Sequence, residues 1–408
     1  MARRSAVVLI VAAAMLLAAT GGFAQGEEFV FGMVLVGPRN DHGWSEAHYT
    51  AGQYVEQQVP GTRMVFFESL NPADAPETTL EQVVEEMLAE GAKVIFTTSD
   101  EFEEDTLFVA QKYPDTIFVN VSGDDALTGE APANLSNVMG NMELGKQIAG
   151  CAAALATETG KLGYLGPLIN FETRRLAASV YLGARYCYEH YRGGDPDDLS
   201  MTVTWIGFWF NIPGVTLDPT EETQRFFDGG ADVVISGIDT TEALVVAGQR
   251  AAEGAKVWAI PYDYEGACAG APEVCLGVPY FNWGPAYVQV VEAVKNGTYE
   301  QFWNWNPPYF EDISDNDKTA VGWVNGDALT EEQAAQLDEF IAMLAETDPG
   351  VLTAENIDDE GKQIGLWVGP LALQDGTVLA EEGEIVPPRS VWYLEQLLQG
   401  MTGDSSAQ

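Results

Sequence analysis

The sequence is poor in the residues that most metal sites and catalytic triads require. It contains three histidines in 408 residues, and His42 and His48 are spaced so that a helix would not place them on one face. No GxxxxGK[ST], HExxH, GxSxG or GxGxxG pattern occurs. These absences argue against a metal centre and a His-based triad. We expect the histidines to be exposed to solvent or bonded within loops.

Basic residues are scarce as well. The chain has 19 Lys and Arg residues against 62 Asp and Glu residues, which gives a formal net charge of −43. A charge of this size repels nucleic acid and anionic membrane surfaces, so we expect neither as a partner. A solvated acidic surface explains the charge better than specific cation binding does, since no calcium-loop pattern is present.

Long apolar runs are absent after the first residues of the chain. Two arginines precede an apolar run and a small-residue site that ends at Ala24, which is the pattern of an export signal. We predict a signal peptide over residues 1–24, cleaved near Ala24, and a mature protein in the periplasm or on the extracellular face of the membrane. No cysteine follows the predicted cleavage site, so no lipid anchor is expected. An uncleaved anchor helix is the alternative.

Cysteine is also rare, with four residues and no CxxC pattern. An even count in an exported chain favours disulfide pairing, and the spacing does not suggest zinc. Cys268 and Cys275 flank a short loop and are the better candidate pair. Cys151 and Cys187 fall in apolar helical patterns, where they could bond or pack as thiols. No metal and no cofactor is expected.

The chain does contain a repeated sequence pattern, which we call the internal echo. Residues 80–99 and residues 222–239 each predict an amphipathic helix, a glycine, a short Val/Ile-rich strand and a polar cluster. Strands and helices alternate in the rest of the chain, which predicts parallel sheets covered by helices on both faces. We therefore predict an α/β fold of two similar lobes. A single long doubly wound domain is the alternative.

The predicted boundaries follow from this alternation. The N-terminal lobe is expected over residues 28–140 plus about 265–320, and the C-terminal lobe over residues 141–264 plus about 321–346. Residues 347–408 are expected to form an appendage and tail. Hinge strands that cross between the lobes are expected near 137–145, 262–277 and 320–325.

Aromatic and polar side chains follow several of the predicted strands, where open parallel sheets collect their ligands. Flat aromatic faces bind flat rings, and carboxylates accept hydrogen bonds from ring amines or hydroxyls. This combination suits a purine base or nucleoside, and it also suits a sugar or another polar metabolite. A nucleoside-acting enzyme is a further alternative, although no set of acid, base and nucleophile is evident. The candidate ligand-binding residues are Asn40, Asp41, Trp44, Ser45, Ser99, Ser122, Trp209, Phe210, Asp239, Asp263 and Trp283.

Several segments in order resemble one known family. NDHGWSEAHYTAG, ANLSNVMGNM, GADVVISGIDT, IPYDYE and YFNWGPAYVQVVEAV are similar to segments of the basic membrane protein family, the substrate-binding components of ABC importers. The resemblance covers nearly the whole mature chain. It implies a type I periplasmic-binding-protein fold without enzymatic activity, a purine base or nucleoside as ligand, and delivery to an ABC permease. A monomer is expected.

The resemblance also implies roles for individual residues. Trp44 matches the family's base-stacking position, and the second stacking residue would be Trp209 or, next, Phe210. Asp263 matches the carboxylate that holds the ribose in nucleoside binders, whereas Asp239 and Trp283 fit binders of the free base. Residues 212–217 depart from the pattern, since they form an insertion beside Trp209.

Overall fold

The computed structural model describes residues 28–406, and the first lobe is built by the N-terminal part of this range. Its strands are mostly buried, as expected for a parallel sheet with helices on both faces, except for the half-buried edge strand β2. The elements in chain order are β1 Phe29–Leu35, α1 Trp44–Gln58, β2 Thr62–Phe67, α2 Leu80–Ala89, β3 Ala92–Thr98, α3 Glu103–Lys112, β4 Ile117–Asn120, α4 Asp125–Thr128 and β5 Leu135–Gly140. The predicted signal peptide lies outside the described residues.

The second lobe repeats the alternation of strand and helix. Its first helix, α5, is buried along its whole length and packs against the next helix, α6. The elements in chain order are α5 Met142–Ala156, β6 Lys161–Gly166, α6 Phe171–His190, β7 Ser200–Trp205, α7 Pro219–Asp228, β8 Val233–Ser236, α8 Glu242–Ala252 and β9 Trp258–Ile260.

The chain then returns to the first lobe and crosses back. Helix α9 packs on α1, whereas helix α10 packs on α5. Strands β10 and β12 form an antiparallel pair that links the two lobes. The elements are β10 Gly277–Phe281, α9 Gly284–Asn296, β11 Trp303–Asn306, β12 Val321–Asn325 and α10 Glu331–Ala345. With the passage from β5 to α5, residues 28–345 therefore cross between the lobes three times.

The remaining residues form a C-terminal segment with little regular structure. It contains β13 Leu352–Thr353, β14 Leu371–Ala372, β15 Val378–Ala380, α11 Pro388–Trp392 and β16 Met401–Thr402. Strands β14 and β15 form the short hairpin of this segment. We use "C-terminal segment" for residues 346–406 below.

The two sheets have related strand orders, which explains the internal echo. Sheet 1 has the order β13-β11-β5-β4-β3-β1-β2, and sheet 2 has the order β16-β7-β6-β8-β9. The echoed strands β3 and β8 each pair in parallel with the first strand of their lobe. The predicted two-lobed α/β fold is confirmed, since each lobe has its own parallel sheet.

Local signals set several helix ends. Thr79 and Gln82 form a capping box at the start of α2, and Thr330 and Gln333 form another at the start of α10.

Both disulfides, Cys151–Cys187 and Cys268–Cys275, are formed. The first joins α5 to α6 inside lobe 2. Among residues 28–406, no helix is both long and apolar enough to cross a bilayer.

Candidate ligand-binding site

A cavity lies between the lobes, where the carboxyl ends of the two sheets face each other. Its unfilled space, counted together with the adjoining open solvent, is about 420 Å³. Its wall combines aromatic rings with carboxylates and hydroxyls, as ligand sites of α/β proteins commonly do. The lining residues are Trp44, Ser99, Asp100, Ser122, Tyr164, Glu172, Thr173, Leu176, Trp209, Gly237, Asp239 and Tyr262.

The lobe 1 wall is dominated by Trp44, which is the first residue of α1. Its indole Nε1 donates a hydrogen bond of 2.7 Å to the carbonyl oxygen of Thr98, at the end of β3. Behind it, the rings of Phe281 and Trp283 each lie edge-on with centroids 5.4 Å away. The ring of Trp44 is therefore held in place before any ligand arrives.

The turn before α1 is held by Asp41. Its carboxylate accepts hydrogen bonds from the backbone N–H groups of Gly43, Ser45 and Glu46, at distances of 2.9–3.0 Å. The hydroxyl of Ser45 accepts a further bond from the N–H of Gly37 at 3.0 Å. Asp41 thus satisfies the free donors at the start of α1 and fixes the position of Trp44.

The lobe 2 wall carries a second tryptophan, Trp209, in the loop after β7. Its carbonyl oxygen accepts a 3.0 Å hydrogen bond from the N–H of Asp239, which joins this loop to the end of β8. The indole Nε1 of Trp209 is buried and has no acceptor within residues 28–406. This wall therefore offers an aromatic ring and a buried donor at the cavity.

The lobes touch directly around the cavity. The hydroxyl of Ser122 donates to the carboxylate of Glu172 at 2.9 Å, and the side-chain amide of Asn170 donates to Asp100 at 3.1 Å. The backbones of Gly43 and Asp239 come so close that a Cβ atom on Gly43 would lie 1.7 Å from the carbonyl oxygen of Asp239. The structure therefore shows the closed arrangement of the two lobes.

The electrostatic character of the cavity is acidic. Burial raises the pKa of Glu172 to about 7, because its carboxylate loses water, although nearby Arg175 opposes the shift. Burial likewise raises the pKa of Asp100 and, much further, that of Asp239, which also faces other buried carboxylates. The part of the wall that the structure describes contains no lysine or arginine.

A buried lysine stands behind this wall, on α5. The Lys146 ammonium donates to the carbonyl oxygen of Ser236 at 2.8 Å and lies 3.2 Å from the ring centroid of Tyr262. Burial lowers the pKa of Lys146 to about 7, although Asp263 opposes the shift. Within the described range, no group of three or more His, Cys, Asp or Glu residues is arranged to hold a metal ion.

Comparison with known proteins identifies the family. The family model described as "Bmp: ABC transporter substrate-binding protein PnrA-like" matches residues 29–306, which is more than half of the chain. The chain belongs to this family. The predicted resemblance is therefore confirmed, and the protein is an ABC transporter substrate-binding protein. Proteins of this kind act outside the cytoplasm and deliver small molecules to a permease.

Two named proteins are related to most of this chain. A purine-binding protein of Brucella abortus is 29% identical over 294 residues, which is 70% of this chain and 76% of the relative. A protein of Haloferax volcanii, provisionally named an ABC transporter glucose-binding protein, is 26% identical over 308 residues, which is 72% of each chain.

Solved structures show the same fold. The solute-binding protein of an ABC transporter system from Aeropyrum pernix has a TM-score of 0.59 at 16% identity, covering 76% of this chain and 85% of its own. A solute-binding protein from Conexibacter woesei has a TM-score of 0.56 at 19% identity, covering 78% and 96%. These neighbours support the type I periplasmic-binding-protein-like fold of the Bmp chain.

The structure brings five of the sequence-predicted site residues into the cavity wall. They come from both lobes and from five separate strand ends. They are Trp44, Ser99, Ser122, Trp209 and Asp239.

The other predicted residues lie outside the wall. Asp41 and Ser45 build the turn that positions Trp44, and Asn40 is exposed. Trp283 lies behind Trp44 in the core, and the ring of Phe210 packs edge-on against Phe208 at 5.0 Å.

Asp263 is fully buried behind the wall, next to Lys146. Burial raises the pKa of its carboxyl strongly, while Lys146 acts in the opposite direction. A direct ligand contact by Asp263 therefore stays a prediction.

Sequence reasoning missed several wall residues. Tyr164 and Tyr262 lie in apolar patterns that are typical of a core, Glu172 lies in the first turn of α6, and Asp100 is not among the predicted residues. One signal was available for Asp100, since it belongs to the polar cluster after β3. The expectation for His48 was wrong: it is fully buried and lies 2.7 Å from the Tyr287 hydroxyl through Nδ1, because α9 packs on α1.

Proposed function

We propose that the protein captures a purine base or nucleoside in the interlobe cavity and delivers it to its permease. The observation that carries the proposal is a pair of tryptophans, Trp44 and Trp209, that enter one cavity from opposite lobes beside a buried carboxylate, Asp239. Aromatic rings bind bases by stacking, which contributes about 1–3 kcal/mol per base. A buried carboxylate accepts hydrogen bonds from the N–H groups of a purine.

The negative charge of the cavity wall disfavours anionic ligands. Three carboxyl groups, from Asp100, Glu172 and Asp239, line the described cavity without a cationic side chain among them. An anionic ligand such as a nucleotide would lose its hydration without gaining a counter-charge. A neutral, donor-rich purine fits this wall better. The purine-binding relative from Brucella abortus supports the same class.

The test is calorimetry with a panel of solutes on the mature, ligand-stripped protein. Adenine, hypoxanthine, guanine, adenosine and guanosine form the first group, and glucose, ribose and AMP form the second. We expect at least one purine to bind in the micromolar range or tighter and AMP to bind at least a hundredfold more weakly. Tight binding of a second-group solute with no binding of any purine would refute the proposal.

An Asp239→Asn variant sharpens the test, because the amide can donate as well as accept. We expect the preferred purine to lose about 1–3 kcal/mol of binding free energy, since an amide N–H turned toward a purine N–H leaves both donors unpaired. Asp228→Asn is the control, because Asp228 lies on the surface of lobe 2 and pairs with Arg250. The control variant should bind like the parent.

A sugar is the second candidate ligand. The name of the Haloferax volcanii relative favours it, and tryptophan faces also pack against sugar rings. Glucose and ribose in the panel separate the two candidates. A stacked purine should also quench the fluorescence of Trp44 and Trp209, which glucose cannot do by stacking.

Incubation with adenosine, followed by a search for released adenine, tests the third alternative, a nucleoside-acting enzyme.

Three further parts of the proposal concern the protein in the cell. We propose that residues 1–24 direct export, that the mature protein acts at the outer face of the membrane, and that it is a monomer. Mass spectrometry of the exported protein tests the cleavage near Ala24. Sedimentation of the mature protein tests the monomer.

A further inference from the structure

The last third of the C-terminal segment is anchored on lobe 2. Arg174, on α6, donates through Nε to the carbonyl oxygen of Leu394 at 2.7 Å and through Nη1 to that of Ser405 at 2.9 Å. Strand β16 pairs in parallel with β7 at the edge of sheet 2. The indole of Trp205 donates to the carbonyl oxygen of Asp404 at 2.7 Å. The last third of the segment therefore moves with lobe 2.

Two adjacent residues of this anchored part nevertheless reach lobe 1. The ring of Trp392 lies edge-on against Trp303 and Trp305 of β11, at centroid distances of 4.7 and 4.9 Å. The hydroxyl of Tyr393 donates a 2.5 Å hydrogen bond to the carboxylate of Asp124, in the loop after β4. This bond joins a segment fixed to lobe 2 with a loop of lobe 1.

The bond between Tyr393 and Asp124 lies beside the cavity. Asp124 is two residues after Ser122, which lines the wall and bonds to Glu172 of the other lobe. The ring of Tyr393 lies edge-on to Phe171, the residue before Glu172, at 5.5 Å. Tyr393 thus touches both lobes next to the place where they meet, although it does not line the cavity itself.

Opening of the cleft would separate these partners. Asp124 belongs to lobe 1, whereas Phe171 and the anchor residue Arg174 belong to lobe 2. If the lobes rotate apart, Tyr393 keeps its contacts with α6 and loses the carboxylate of Asp124. Hydrogen bonds to charged groups are stronger than those between neutral groups. The loss is large enough to shift an equilibrium between open and closed states.

We propose that Tyr393 is a latch residue that holds the cleft closed through its hydrogen bond to Asp124 and so slows release of the ligand. The family match ends at residue 306, so this latch comes from a part of the chain outside the matched region. The latch acts on the lobes and does not depend on which solute occupies the cavity.

The experiment measures the lobe separation by single-molecule fluorescence transfer. All four cysteines of the chain are in disulfides, so Glu77→Cys on lobe 1 and Glu253→Cys on lobe 2 provide two exposed dye sites. We expect Tyr393→Phe to lower the ratio of closed to open molecules roughly tenfold in the ligand-free protein. With adenine as the probe, its dissociation should become faster by a similar factor.

Tyr113→Phe is the matched control. The hydroxyl of Tyr113 donates to the carboxylate of Glu85 at 2.7 Å, but both residues belong to lobe 1 and the bond does not span the cleft. We expect this variant to keep the closed-to-open ratio of the parent. A double-mutant cycle of Tyr393→Phe with Asp124→Ala should be non-additive, since both changes remove the same bond.

The outcomes are separable from those of the purine proposal. Failure of adenine to bind would count against the purine proposal, while the ligand-free ratio would still decide on the latch. The latch proposal is overturned if the parent has no closed molecules without ligand, or if Tyr393→Phe has the parent's ratio. It is also overturned if Tyr113→Phe lowers the ratio as much as Tyr393→Phe does.

Discussion

The two walls of the cleft are built in different ways. On lobe 1, Trp44 is backed by a continuous aromatic stack, in which Trp283 lies parallel to Phe281 at 4.6 Å and to His48 at 4.7 Å. On lobe 2, Trp209 lies in a loop, and the neighbouring side chains are carboxylates and tyrosine hydroxyls. Lobe 1 therefore contributes a rigid apolar surface, whereas lobe 2 contributes most of the charge.

This difference indicates that the two lobes have different roles in ligand binding and in stability. Interlocking rings restrict the rotamers of Trp44, so little conformational entropy remains to be lost when a flat ligand stacks on it. On lobe 2, a buried cation instead stabilises the charged forms of Glu143 and Glu172. Arg175, which is 2% exposed, donates to Glu143 at 2.6 Å and lies 3.8 Å from Glu172. We expect changes in lobe 2 to affect stability and pH dependence, and changes in lobe 1 to affect affinity.

The largest expected effect is on the stability of lobe 2. Arg175→Met removes the only cation that the described structure places against both Glu143 and Glu172. The variant should lose about 3–5 kcal/mol of unfolding free energy, because two carboxylates stay buried without a counter-charge. Chemical denaturation measures the loss. Arg225→Met is the control, since that side chain is 63% exposed with partners on the same helix, and it should lose less than about 1 kcal/mol.

The next effect is a pH dependence that originates from Glu172. Its pKa is raised from the ordinary 4.5 to about 7 in the folded protein, so folding favours the protonated form. The associated stability is present below pH 4.5 and is lost as the pH rises through 7, by about 3 kcal/mol in total. Denaturation at several pH values should show a loss that is larger in the parent than in Glu172→Gln by this amount, since the raised pKa values of Asp100 and Asp239 act in both proteins. Equal slopes for the two proteins would contradict the prediction.

A smaller effect is expected on the lobe 1 wall. Trp44→Ala should weaken purine binding by about 1–3 kcal/mol, because the stacking face is removed. Trp44→Phe keeps an aromatic ring and loses only the hydrogen bond to Thr98, so it should weaken binding by about 1 kcal/mol. Calorimetry with the preferred purine compares the two variants. Equal losses would show that the ring of Trp44 does not stack on the ligand.

The smallest expected effect concerns the close approach of the walls. In Gly43→Ala the new Cβ would collide with the carbonyl oxygen of Asp239, which belongs to the other lobe. The lobes would then close incompletely, and purine affinity should fall roughly tenfold. Gly361→Ala is the control, because its nearest neighbour would be 3.5 Å away. An unchanged affinity in Gly43→Ala would show that binding does not require this contact.

The sequence predicted the fold well because the signals for its elements are local. A helix and a strand are predicted in residues 80–99, where the structure has α2 and β3, and again in residues 222–239, where it has most of α7 and β8. The repeated helix-and-strand pattern of residues 80–99 and 222–239 reflects one topology used twice. Periodicity, glycine positions and capping residues are properties of neighbouring residues, and no tertiary contact is needed to recognise them.

The site was predicted only in part. Trp44 and Trp209 stood out because an aromatic residue at a strand end needs an explanation, and both lie in the cavity wall. Glu172 did not stand out, since a glutamate at the start of a helix has an ordinary role near the helix dipole. Its hydrogen bond to Ser122, which belongs to the other lobe, arises only when the lobes close.

The sequence by itself thus determined two parallel α/β lobes, the crossings between them and the aromatic residues at the strand ends. The tertiary structure decided which of those residues reach the cavity: Trp283 became the support of Trp44, and Asp41 became a hydrogen-bond acceptor for the turn into α1. It also brought Tyr393 to Asp124, 269 residues earlier in the chain. Such contacts depend on how separately folded units pack against each other, and local sequence patterns carry no information on that packing.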